Sequence, residues 1–317
     1  MSGDMGMNWI RLRKHHHSLL TACTVQTPNG VMTIRPRLVI DCTADIAAAR
    51  MAGCAYAIGE DASADFGETA APAAPTSRLN GITQSFRITH TIETITQIPE
   101  QYRDVDLSDW EAHMESTCSP VSCFDVYPRG GICVNMLPTA EGELYLRHSY
   151  DELRHICEAR AFSYMRWLAR RYGLTGWQIT HLFPLLGLRE TYRLRGEYVL
   201  TIDDLHRGCP KGAAARHPIA VADHPADTHG QGSQGCQDTG RYTIPYECLL
   251  PREIDNLLVA CRGASFSHLA ASSARLSRTM LQLGEAAGTA AARSLASGVL
   301  PRDLPYSRLA ELDSVNL

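Results

Sequence analysis

Apolar positions along this chain recur with two different periods, and the change of period marks out the elements. Over residues 150–172, Leu153, Ile156, Cys157, Met165 and Leu168 fall on or near one helical stripe, with Arg and Glu opposite and Gly173 at the end. Short apolar runs between polar residues instead predict strands. These lie at 177–182, 195–200, 242–250 and 257–261, with 132–137 and 143–148 as a pair and a β-like, Thr-rich stretch over 82–92. Residues 31–41 read as a hairpin return ending in a buried strand at 38–40. Asp45 suits the N-cap of a short Ala-rich helix, 46–51, that stops at Gly53.

Further helices are predicted over 106–117, from 202 to 206, and over the long Ala/Gly-rich run 275–295. Two stretches carry little core-forming content. Residues 61–77, rich in Ala, Pro, Ser and acids, predict a mobile loop, and 208–240 form a polar segment rich in Gly, Ala, His and Asp. This order predicts one α/β domain built from the two ends of the chain, 1–58 with 241–317. A β-rich domain over 79–207 would lie between them in sequence, with 208–240 as a polar loop segment. No internal repeat is visible.

With 317 residues the chain is long enough for one large core or two ordinary domains. A net charge of −4 without a basic stripe argues against nucleic acid or a membrane surface as partner. No apolar run is long enough to span a bilayer. The first twenty residues lack the apolar region and cleavage site of a signal peptide. The eleven cysteines form no C-x-x-C pair, and many sit in apolar runs, where Cys behaves as a small hydrophobe. A reduced, cytoplasmic protein is expected.

Candidate chemistry concentrates in residues 256–292. An apolar strand feeds a turn of small residues and then a long helix, the arrangement with which α/β proteins hold a phosphate-bearing cofactor at a helix N-terminus. Arg262, Ser265, Ser267 and Thr279 surround the turn, and Gly284 and Gly288 flatten one helix face. Close helix–sheet packing without a ligand reads equally well. A literal G-x-G-x-x-G at Gly230, Gly232 and Gly235 lacks the strand before and the helix after that its mechanism needs. His15, His16 and His17 are adjacent, so their rings point apart, unlike an i, i+4 zinc pair, and an irregular N-terminal arm is expected there. The spacing of Cys118, Cys123 and Cys133 fits no common metal site.

The run CRGASFSHLAASSAR…LGEAAGTAAA resembles the C-terminal signature of a family of FAD-dependent oxidoreductases that includes heterodisulfide reductase A-like proteins. Arg262, Ser265, His268, Arg275, Thr279, Gly284, Ala286, Ala287, Gly288 and Thr289 stand where that signature has them. LLGLRETYRLRGEYVLTIDDL, with Gly187, Arg189, Glu190, Arg193, Gly196 and Glu197, is similar to a second motif. YTIPYECLLPREIDNLLVA resembles a third, and LVIDCTADIAAARMAGCAY resembles a strand and turn beside the flavin's nucleotide half. Three departures stand out: Ala44 replaces the turn glycine, Cys261 replaces the glycine before Arg262, and Arg278 replaces a proline.

The resemblance implies a glutathione-reductase-like FAD-binding α/β fold with an inserted β-rich substrate domain. The family's first βαβ unit and its Gly-rich turn are expected to lie upstream of this chain, making it N-terminally truncated. It implies FAD as cofactor, with Thr43, Ala44, Asp45, Arg189, Arg262, Ser265, Arg275, Ser277, Thr279, Met280 and Gly284 as contacts and His268 as the acid/base. Arg193 would help fix the flavin region, or else simply form salt bridges between strands. His224, in a weak echo of a family motif, reads better as a solvated loop histidine. The implied reaction is hydride transfer from an unknown small-molecule substrate to flavin, with an unknown electron acceptor. A non-catalytic remnant that holds FAD weakly or not at all is the competing reading. A metal-dependent hydrolase built on the His-rich segments is a third.

Overall fold

The computed structural model describes residues 8–15, 18–91, 97–117, 122–128, 130–136, 138–210, 212, 217–228 and 236–309. They group into two compact units. The described residues of Met1–Ser77, Glu190–Thr228 and Ser233–Leu317 form the first, and Arg78–Arg189 form the bulk of the second. Among the described residues no helix is long and apolar enough to cross a membrane. The nine described cysteines are all free thiols.

In the first unit an antiparallel meander joins the strands Asn8–His15, Leu19–Thr27 and Gly30–Ile34. Where an irregular arm was expected, Asn8–His15 is a strand; His16 and His17 lie outside the described residues. Val39–Asp41 then pairs in parallel with Leu257–Val259 in the register Val39↔Leu257 and Asp41↔Val259. This pair carries the apolar cluster of Val39, Ile46, Ala49, Leu257, Val259 and Cys261. Parallel pairing sets the carboxyl ends of both strands side by side, which is where α/β proteins place ligands.

Residues 208–240 are not devoid of core. Pro218–Ala222 is a strand that pairs antiparallel with Tyr242–Pro245, and Ile219, Ala220 and Ala222 are buried. Its own first residue, Pro218, and a five-residue length hid it among polar neighbours. The helix Ser277–Ser297 packs against it, burying Leu283, Ala286, Ala287 and Ala290. The predicted helix over 275–295 is Ser277–Ser297, and a further short helix, His268–Ala274, capped by the Ser267 hydroxyl, precedes it where a turn was expected, the two being separated where Leu276 turns extended. Residues 61–77 also depart from a simple loop, forming a helical turn, Ser63–Phe66, and burying Asp61 and Glu68. The predicted strand 195–200 forms only isolated bridges, Gly196 to Pro251 and Leu200 to Phe266, and the short strand just before it, Arg193–Leu194, pairs with Tyr56–Ala57.

The second unit is a four-stranded antiparallel sheet covered by the helix Tyr150–Tyr172. The sheet order is Ser122–Val126, Ile132–Met136, Ser85–His90, Trp177–Leu182. Ser149 and Glu152 form a capping box at the start of the helix, and Gly173, at φ 66°, ends it. Leu153, Cys157, Met165 and Leu168 are buried as the stripe predicts, and Phe86, Ile88 and Val134 meet the helix's Ala161 and Trp167 in one core. Residues 143–148 do not form the expected strand. Gly142–Leu146 is a 3-10 helix, and Gly142 lies so close to the backbone of Leu79 that a Cβ would come within 2.5 Å of its oxygen.

Candidate functional site

Two turns leave the carboxyl ends of the parallel pair, and their local chemistry keeps them in unusual shapes. Asp41 is buried and accepts from the Thr43 N–H (2.9 Å), the Thr43 hydroxyl (2.7 Å) and the Ala49 N–H (2.9 Å). Held this way, the turn sets Ala44 at φ 65° and Ile46 at φ 47°. Non-glycine residues, β-branched ones above all, rarely adopt this region, and such strain persists only where the surroundings impose it.

Asp45 does not cap the following helix, Ala47–Met51. That N–H, from Ala47, goes to the Thr43 hydroxyl at 2.7 Å. The Asp45 carboxylate is turned instead toward two other motifs, accepting from Thr191 Oγ1 (2.6 Å) and Arg262 Nη2 (2.9 Å). The second turn presses on the first: a Cβ on Gly263 would stand 2.5 Å from Ile46 Cγ2 and 2.6 Å from the Tyr192 carbonyl oxygen. Only glycine tolerates that approach. Cys261 is buried beside it. Burial pushes its thiol up to about 12, although the backbone N–H groups of Gly263 and Ala44 act on the sulfur in the opposite sense.

A second cluster is buried and ionic. The Arg193 guanidinium donates to Glu190, to both oxygens of Asp61 (3.0 and 3.1 Å), and to the carbonyls of Gly59 (2.8 Å) and Phe266 (3.2 Å). Glu190 also meets His268 Nδ1 at 2.8 to 2.9 Å, and Asp61 accepts the His268 N–H at 2.8 Å. Arg195 reaches Asp61 at 2.8 Å and stacks 4.5 Å over the Phe66 ring. His268 is 2% exposed, and its Nε2 has no partner among the described residues. Glu68, 0% exposed, accepts from Ser267 Oγ and Ile202 N–H, both at 2.7 Å. Burial raises its carboxyl above the ordinary range, partly offset by those two donors.

The remaining expected contacts divide. Ser265 is buried and accepts the Gly196 N–H at 2.9 Å, so its hydroxyl links the signature to the second motif. Thr279 is buried, Ser277 and Gly284 are exposed, and Met280 is half-buried. Nothing lies within 4 Å of a Cβ built on Gly284 or Gly288, so their face of the helix is open. Burial lowers the Arg275 guanidinium below its usual range, against the pull of Asp227 and Glu190. Arg278 pairs with Asp223 on the surface. Arg189 belongs to the second unit, where it donates to the carbonyls of Gly81 (2.8 Å) and Gly187 (3.4 Å). His224, half-buried rather than solvated, has Nδ1 2.6 Å from the Pro225 carbonyl, and burial lowers its pKa.

Asp61, Glu68 and Arg195 were not anticipated. The two acids sit in an Ala/Pro-rich stretch where spacing gives no sign of burial. Asp41 did carry a signal, as the acid that closes an apolar strand. Gly230, Gly232, Gly235 and Cys118 lie outside the described residues, as does the Cys123 side chain. Among the described residues no group of three His, Cys, Asp or Glu is placed to hold a metal.

The donor set at the two turns fits the oxyanion-rich part of FAD at one point. Arg262 lies at the carboxyl end of its strand with a buried Nε that has no partner among the described residues. A comparison with curated proteins finds no relative that matches this chain. The FAD dependent oxidoreductase family, whose members bind FAD, matches residues 7–312. Residues of three separated motifs, Asp45, Thr191 and Arg262, thus meet under a match of nearly full length, and the chain belongs to the family of FAD-dependent oxidoreductases.

Proposed function

We propose that this protein oxidises a small-molecule substrate with bound FAD, in a glutathione-reductase-like arrangement akin to the heterodisulfide reductase A-like branch. The observation that carries this reading is the Asp45–Arg262 contact at 2.9 Å, which ties together the turns at the carboxyl ends of two parallel strands. FAD, when bound, supplies a two-electron acceptor. Arg262 offers a cation to the cofactor's phosphates or pyrimidine edge, and the Thr43–Asp45 turn shapes the backbone beside it. Arg275, Ser277, Thr279, Met280 and Gly284 contribute the helix start, and Ser265 holds the signature in register. His268 takes the proton released from a substrate O–H or N–H as hydride leaves the adjacent carbon, so two electrons and two protons are accounted for. A separate electron acceptor then restores the oxidised state.

The second unit would select the substrate. It has a cleft of about 420 Å³ lined by Asp104, His148, Glu152, His155 and Arg160, within the size range of small-molecule sites.

A weakly binding, non-catalytic remnant is the second reading, favoured by the strained Ala44. Absorbance of the purified, folded chain separates the two. A flavin band near about 450 nm that remains with the protein on gel filtration supports the oxidoreductase. A folded chain that shows no such band, even after incubation with FAD, supports the remnant.

A further inference from the structure

The imidazole of His224 stands beside the start of the helix Ser277–Ser297, and the chain around it fixes which ring nitrogen is bare. The strand Pro218–Ala222 runs along that helix: Val221 gives its N–H to Gln282 at 2.8 Å and accepts from Gln282 at 3.0 Å. Two residues further on, Asp223 pairs with Arg278 in the first helical turn. The His224 carbonyl accepts from Thr239 Oγ1 (3.2 Å) and from Ser273 Oγ, which in turn meets the buried Tyr242 hydroxyl at 2.6 Å. With the backbone held, the ring Nδ1 lies 2.6 Å from the Pro225 carbonyl. A carbonyl only accepts, so Nδ1 carries a hydrogen. Nε2 has no partner among the described residues, and the half-buried ring is within reach of solvent.

Burial, then the Arg275 and Arg278 guanidinium groups, holds this imidazole below its usual pKa, against the opposite pull of the Pro225 carbonyl and Asp227. Histidine's usual value already lies below neutral pH, so the ring is neutral there and Nε2 presents a lone pair. Guanidinium groups only donate. The residues around His224 therefore offer a ligand one acceptor accompanied by two donor groups. A phosphate, which brings only acceptor oxygens, would set an oxygen against the Nε2 lone pair. An N–H flanked by carbonyl oxygens satisfies all three.

We infer that His224 is a specificity-determining contact whose Nε2 accepts a hydrogen bond from an imide-type N–H, with Arg275 and Arg278 donating to the carbonyl oxygens beside it. In FAD that group is the N3–H of the flavin's pyrimidine ring, which lies between two carbonyls. The inference rests on the reading that this chain binds FAD, and it narrows that reading: the His224 side of the site takes the pyrimidine edge and not the pyrophosphate. The tautomer on which it depends is a property of the chain alone.

Calorimetric titration of FAD and of N3-methyl-FAD, which lacks that hydrogen, into wild type and His224→Leu tests it. Wild type should bind FAD about tenfold or more tighter than the analogue, the scale of leaving one acceptor unpaired. His224→Leu should weaken FAD and bring the two ligands within about twofold of each other, because the acceptor is gone from both complexes. Nitrogen-15 NMR of protein labelled in its histidine rings adds a reading that needs no ligand, with the His224 signals found among the thirteen histidines by their loss in the variant. The expected spectrum shows Nδ1 protonated and Nε2 bare at neutral pH. Should His224→Leu not fold, His224→Gln serves for the assignment, and the two wild-type titrations with the ring spectrum still decide. An Nε2–H tautomer, a doubly protonated ring, or discrimination that survives His224→Leu overturns the inference. Equal binding of both ligands to wild type overturns it alone, whereas a wild type that binds no FAD overturns the functional reading and this one with it.

Discussion

Gly263 and Ile46 come from turns more than two hundred residues apart, yet a single carbon added to the glycine would stand 2.5 Å from the isoleucine Cγ2. That approach brings the turn after Leu257–Val259 against the turn after Val39–Asp41. Gly263→Ala must push apart Ile46 or the Tyr192 carbonyl, and should cost about 1–3 kcal/mol by overpacking. Chemical denaturation of the purified variant reads that loss directly. A variant as stable as wild type would mean that the two turns do not meet this closely.

Ala44 occupies φ 65°, a conformation glycine adopts without penalty. Ala44→Gly is therefore expected to raise stability by about 1 kcal/mol, the cost of the strained side chain less the added freedom of the unfolded glycine. The midpoint of urea denaturation should move up. A downward shift would show that the turn is not left-handed at this position.

Removing Arg193 takes away the cation that two buried carboxylates share, although Asp61 keeps Arg195 and Glu190 keeps His268. Arg193→Met leaves Glu190 and Asp61 without their shared cation, and broken buried pairs of this kind cost about 3–5 kcal/mol. A melting curve near that of wild type would place the cluster in water rather than in the core. The double variant Arg193→Met/Glu190→Met should recover part of the loss, since an apolar replacement of both partners removes the stranded charge.

Glu68 gives the protein a pH signature. Its folded carboxyl is raised, chiefly by burial, so its contribution to stability is fully present in acid and fades as pH climbs through the raised value. Glu68→Gln removes that titration. Relative to wild type, the variant should gain stability from acid toward neutral pH, and the difference should vanish below the ordinary carboxylate range. Denaturation profiles of the two proteins across pH that run parallel would contradict the assignment.

How much of this was legible beforehand depends on how far each feature's partners lie along the chain. The helix Tyr150–Tyr172 announced itself because its stripe and its terminal glycine are both local. The parallel strands could likewise be found as apolar runs. Pro218–Ala222 could not, because five residues inside a polar segment carry too little pattern to show burial. The ionic cluster was hidden for another reason. Arg193 and Asp61 are 132 positions apart, and no spacing rule links an arginine in one motif to an acid in an Ala/Pro-rich stretch. The family motifs pointed to Arg262 and His268 but not to what holds them. Their partners, Asp45, Thr191, Glu190 and Asp61, became visible only when the segments were brought together.

The central claim is that Arg262 and the paired turns hold FAD. Calorimetric titration of FAD into the folded chain, alongside Arg262→Ala, tests it most directly. The account predicts saturable binding of one FAD per chain and a loss of affinity of about tenfold or more in the variant, the scale of one charge-assisted contact. Binding that is absent in wild type, or that is equally tight without Arg262, would contradict it.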